Sequence, residues 1–184
     1  MISSKRYGWL TVFLLVWHFL PITVAASGPR VEISHLVIKN SQDTLQVDLK
    51  IDSEFTPEIK AAVLNGVPVR FTFSISLYEV NAFWFDTKVA GQTVIHELRY
   101  DVTKRAYKLT RSRGVLRPTY MEDFEKAQLQ ISEINNLEVI ALKDLNKGEH
   151  YQLMASAGLS VKKYAFFNLY RGVKNDHYTV NFVY

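Results

Sequence analysis

Four histidines lie beyond residue 26, at His35, His96, His150 and His177, and they are weighed first because imidazole serves both acid–base chemistry and metal binding near neutral pH. Their spacing supports neither. No H-x-H or H-E-x-x-H pattern is present, and His96 and Glu97 are neighbours in a segment that alternates like a strand, so their side chains point to opposite faces. The same parity groups His96 with Val94 and Leu98 and makes it a core or edge histidine. Glu149 and His150 follow a Lys147-Gly148 turn and read as a solvated strand start. No metal and no cofactor is expected. Nucleophilic catalysis fares no better: G-x-S-x-G is missing, and Ser74 and Ser76 alternate with apolar residues as the wet face of a strand would. Asp86, Glu97 and Asp101 are carboxylates that a fold could bring together, yet nothing in their spacing requires it. A non-catalytic protein is therefore expected, with a hydrolase as the weakest alternative.

Two groups of surface candidates remain. Lys104, Arg105, Lys108, Arg111, Arg113 and Arg117 place six cations between residues 102 and 121 with no acid among them. Such a stripe suits anionic lipid headgroups or an acidic partner loop. The competing reading is a solvated edge strand guarded by cations, because Arg105 and Arg111 share the parity of apolar Tyr107 and Leu109 and so divide the charge between faces. The second group is Phe83, Trp84 and Phe85, followed by Asp86, at the crossing between two long strands. Consecutive aromatics on a strand cannot all enter one core, so they mark either a contact surface or packing against a helix. Tyr164, Phe166, Phe167 and Tyr170 pose the same question later in the chain.

The location of the protein is written in residues 1–26. Lys5 and Arg6 precede an apolar run over 9–20, Pro21 interrupts it, and Val24 and Ala26 stand at the −3 and −1 spacing of a signal-peptidase site. A signal peptide cleaved after Ala26 is expected. The alternative is an uncleaved anchor using residues 9–26, and both put the remaining domain outside the cytoplasm, in the periplasm or on the periplasmic face of the inner membrane. Removing that leader from the 184 residues leaves 158, enough for one domain over 27–184, and lowers the net charge from +4 to +2. So small an excess excludes a general nucleic-acid binder. The absence of cysteine excludes disulfides, thiol chemistry and a lipid-modified N-terminal cysteine.

Period-two patterning dominates the rest. Val67, Val69, Phe71, Phe73, Ile75 and Leu77 alternate with polar residues, as do Leu45, Val47, Leu49 and Ile51, and Val94, Leu98, Tyr100 and Val102. Tyr107 and Leu109 follow a Thr103-Lys104-Arg105 connection as the return of a hairpin. Further strands are expected over 31–39, 137–142, 151–161 and 178–184. Thr56-Pro57-Glu58 opens a short helix that Asn65-Gly66 ends, and Thr119-x-x-Glu122 reads as a capping box starting a second helix that runs to about Asn135. Single-domain antiparallel β-sandwich, mainly β with two short helices, is the predicted fold.

Several segments taken in order carry a family resemblance. They are Asn65-Gly66-Val67-Pro68, then Trp84-Phe85-Asp86-Thr87-Lys88-Val89-Ala90, then Leu98-Arg99-Tyr100 through Thr103-Lys104-Arg105-Ala106-Tyr107-Lys108-Leu109, and finally Leu145-Asn146-Lys147-Gly148-Glu149-His150-Tyr151. With these the chain resembles the bacterial domain-of-unknown-function 4390 family from about residue 31 to 184. The resemblance implies an exported envelope protein without established activity, accessory to a membrane sensor kinase. The chain departs from the family pattern at Lys163-Tyr164-Ala165-Phe166 and, near the C-terminus, at Tyr178 and Phe182. The functional expectation is a binding or interaction module of the cell envelope with a protein partner. A structural envelope protein or a small outer-membrane β-barrel is the alternative, the latter suggested by alternating Tyr178, Val180, Phe182 and Tyr184.

Overall fold

The computed structural model describes residues 31–114, 117–161, 173–174 and 177–184. The leader and the aromatic run over 164–170 lie outside the described residues. Within them, alternating sequence becomes paired strand almost throughout. Strands β1 (Val31–Ser41) and β2 (Thr44–Ser53) form a hairpin, and β2 pairs on its other edge with β7 (Glu133–Ala141), giving a three-stranded sheet β1-β2-β7. The larger sheet runs β10-β8-β3-β4-β5-β6, from β10 (Tyr178–Val183) through β8 (His150–Val161), β3 (Val69–Glu79), β4 (Thr87–Asp101) and β5 (Ala106–Arg111) to β6 (Thr119–Met121). A two-residue strand β9 (Val173–Lys174) joins β8 beside β10.

Every pairing is antiparallel, and side chains largely alternate between the sandwich interior and water, interrupted where the register shifts in the β1–β2, β2–β7 and β3–β4 pairs. Val69, Phe71, Phe73, Ile75 and Leu77 on β3, Leu153, Ala155, Ala157 and Leu159 on β8, and Leu45, Val47, Leu49 and Ile51 on β2 are all buried in one core. Outward-facing Ser74 and Ser76 stay half-buried on the wet face, as their parity required.

Both helices bridge the two sheets. Helix α1 (Pro57–Leu64) begins where Thr56 Oγ1 accepts the Ile59 N–H at 3.5 Å, and it ends at Gly66, whose φ of +75° is a left-handed conformation that costs glycine little. Helix α2 (Phe124–Ile131) differs from the sequence expectation at both ends. Thr119 to Met121 form β6 against β5, so no capping box forms, and Asp123 caps the helix instead by accepting the Glu125 N–H at 2.8 Å. At the other end Glu133 to Asn135 already belong to β7, where pairing Lys50 with Glu133 and Leu49 with Ile134 captures residues that a longer helix would have used. Tertiary pairing overrides the local signal there.

The sandwich has two distinguishable ends. Ser53 pairs with Val31, and two residues on, Phe55 packs its ring on Phe124 at 5.6 Å, while Phe124 meets Tyr107 at 5.3 Å. The start of β1, both helices and the β4–β5 turn therefore share one end. At the opposite end stand the β1–β2 turn, the β3–β4 connection and Tyr184, tied together where Leu142 N donates to Asp43 O, Val80 N to His150 O and Gly148 N to Tyr184 O.

These open edges exclude the barrel. Among the described residues the outer sides of β1, β7, β6 and β10 have no strand partner, and the two sheets stack rather than close. The alternating C-terminus has a simpler explanation, since Phe182 stacks on buried Tyr151 at 5.8 Å with Val180 and Tyr184 half-buried beside it. Among the described residues no helix is long and apolar enough to cross a membrane.

Candidate functional site

The β3–β4 connection, residues 80–86, presents Phe83, Trp84 and Phe85 at 92%, 85% and 96% exposure. With this exposure none of the three packs against a helix, so that reading of these aromatics does not hold. The backbone of this tip is held by hydrogen bonds. The Asn81 side-chain amide donates to Phe85 O at 3.1 Å and to Thr87 Oγ1 at 3.2 Å, and the Asn81 backbone N–H donates to an Asp86 carboxylate oxygen at 3.2 Å. Asp86 thus closes the loop from within. At the base, Val80 N donates to His150 O at 2.8 Å. Aromatic side chains bury about 150–250 Å² each when covered, so one pocket closing over three of them gains a large apolar area. Because the loop is already ordered, that gain is little reduced by ordering cost.

The six cations do not form one patch. Lys104 and Arg105 occupy the β4–β5 turn over residues 102–105, which also takes in Val102 at 73% exposure, a residue the alternation had assigned to the strand. Arg105 adopts φ +50° to close that turn, and the Asp101 carboxylate accepts the Lys104 backbone N–H at 3.1 Å. Lys104 Nζ lies 3.8 Å from the centre of the Tyr120 ring. Lys108 is half-buried on the outer face opposite Arg99, and Arg113 and Arg117 are exposed further along. Arg111 is the exception. It stands on the inner face at the end of β5, donating to Gln130 Oε1 at 3.1 Å and to Thr119 Oγ1 at 3.4 Å.

Strand β4 carries the aromatic tip at its beginning and the cationic turn at its end. Fifteen residues separate them along one strand, a distance on the order of 45 Å, so one compact ligand cannot engage both.

His96 is buried, as its parity with Val94 and Leu98 indicated. Its Nδ1 lies 3.0 Å from the carbonyl oxygen of Ile131, the last residue of α2; a carbonyl only accepts, so Nδ1 carries the proton. The ring meets Phe73 edge-on at 5.3 Å. Burial lowers its pKa to about 4; the Ile131 bond opposes the shift, and nearby Arg111 adds to it. His96 is therefore a neutral structural residue at neutral pH that ties the helix end to the sheet. Sequence parity missed only its neighbour: in the β4–β5 register, Arg111 stands directly across from His96.

The carboxylates weighed for paired chemistry are dispersed. Asp86 closes the aromatic tip, Asp101 the opposite turn, and Glu97 pairs with Arg70 at 2.5 Å on the outer face. Among the described residues no group of three or more His, Asp or Glu side chains is placed to hold a metal.

No curated protein and no solved structure matches the chain. The sequence model described as Domain of unknown function (DUF4390) matches residues 28–167. That span takes in β1 to β8, both helices, the aromatic tip and the cationic turn, and the chain belongs to the DUF4390 family.

Proposed function

We propose that this protein is an exported, non-catalytic binding module of the bacterial cell envelope that engages an envelope protein through the hairpin tip at residues 83–85. The observation that carries the proposal is the triple aromatic exposure on a turn locked by Asn81 and Asp86. Tryptophan and other aromatics dominate the energetic centres of protein interfaces, and ordered loops lose least on association. Charge at this end is mixed, with Lys88 and Lys147 each two residues in sequence from an acid, Asp86 and Glu149, which suits a protein better than an anionic bilayer. The leader over residues 1–26 supports export, and the family resemblance points to a membrane sensor kinase as the class of partner. If the leader remains as an anchor, the helix end with exposed Lys104 and Arg105 is the one nearer the lipid headgroups, and the tip points away.

In-cell photocrosslinking tests this. A photoreactive phenylalanine analogue at position 84 is expected to give a discrete adduct with one envelope protein, identified by mass spectrometry, that the same analogue at position 104 does not give. Adducts confined to lipid, or identical from both positions, would overturn the reading.

A further inference from the structure

Arg111 occupies an unusual position for a residue of its charge. It is half-buried, and both of its hydrogen-bond partners, Gln130 and Thr119, are neutral. Among the described residues it forms no ion pair, and burial lowers its pKa with no carboxylate to oppose the shift. Partly desolvated guanidinium groups are ordinarily matched by a carboxylate or phosphate, whose two oxygens fit the planar fork.

The space beside it is open. A cleft of about 770 Å³ lies between the β5 side and β7, lined by His96, Arg111, Arg113 and the Gln130 bonded to Arg111, and by Asn135 and Glu138 of β7. That volume falls within the range of about 300–1,000 Å³ usual for small-molecule sites. The acids of the cleft do not neutralise Arg111: Glu133 is paired with Lys50 at 3.3 Å, and Glu138 is exposed. Apolar Val94, Ile134 and Leu137 supply the remaining wall, which strengthens an ion pair formed against it.

We propose that this cleft binds a small oxyanion, a carboxylate or a phosphate, with Arg111 as the charged anchor and Gln130 holding the guanidinium in place. The site is independent of the aromatic tip, which lies at the far end of β4, so either can fail without the other.

The test uses the full chain and two probes, inorganic phosphate and acetate, with the side-chain resonances of Arg111 and His96 followed by NMR. One or both probes are expected to shift them saturably. Arg111→Gln should weaken the apparent affinity at least tenfold, and Arg99→Gln, on the outer face, should leave it unchanged. Arg111→Lys, which keeps the charge and loses the fork, covers the event that the glutamine variant does not fold, and it is expected to weaken binding as well. Phosphate alone shifting the resonances assigns a phosphate ligand, and acetate alone a carboxylate. No saturable shift with either probe, or equal loss in the Arg99 and Arg111 variants, would overturn the site.

Discussion

Replacing Phe73 by alanine is expected to lower folding stability by about 4 kcal/mol, the largest effect of any single substitution considered for this protein. Phe73 is fully buried at the centre of the larger sheet, with Val94 across from it on β4 and small Ala157 across from it on β8. Its ring touches those of Phe71 and His96, at 6.4 and 5.3 Å between centres. Ala157 cannot expand to fill the space, and neighbours pinned in a paired sheet relax little, so the full cavity remains. Urea unfolding of the variant should give a much lower midpoint with an unchanged slope. A loss below about 1 kcal/mol would mean that the two sheets are not packed as described.

The second large effect is pH dependence centred on His96. Its folded pKa is depressed to about 4 from the ordinary 6.5, so between those values the unfolded chain binds the proton and the folded chain does not. Stability from this residue is therefore complete above about pH 6.5, falls as the pH drops, and is fully lost below about pH 4. A shift of this size corresponds to about 3 kcal/mol. The comparison that isolates it is His96→Gln, whose side-chain amide can still donate toward the Ile131 carbonyl but does not titrate. Between pH 7 and pH 4 the wild-type chain is expected to lose about 3 kcal/mol more than the variant. Parallel pH profiles for the two would show that His96 is not buried in its neutral form.

Much of this structure was legible in the residues themselves. Alternation placed the inward face of β3 and β2, and the capping signals around Thr56 and Gly66 bounded α1. Parity also put His96 indoors. What failed was local signal standing against long-range pairing: Thr119 and Glu122 have capping-box chemistry, but β5 offered residues 119–121 a strand partner, and Asp123 took the cap. Val102 continued the alternation yet fell into a turn, because the hairpin had to close before Ala106 could pair with Asp101. The cations illustrate the same limit. Their parity showed that they divide between faces, but only the hairpin register sets Arg111 across from His96 and makes it the half-buried cation of a cleft that exposed Arg113 also lines. The aromatic tip was visible as a run of residue types, whereas its exposure depends on the loop bonds of Asn81, which no alternation pattern encodes.

Separating fold from recognition is what the aromatic tip allows. Because Phe83, Trp84 and Phe85 touch so little of the domain, the variant Phe83→Ala, Trp84→Ala, Phe85→Ala should unfold within about 0.5 kcal/mol of the wild-type chain. Its affinity for the envelope protein crosslinked from position 84 is the decisive quantity. Loss of the central anchors of an interface removes about 2–4 kcal/mol, so binding measured by calorimetry is expected to weaken by roughly a hundredfold with the folded state intact. Unchanged affinity in that folded variant would contradict the assignment of the hairpin tip as the binding surface.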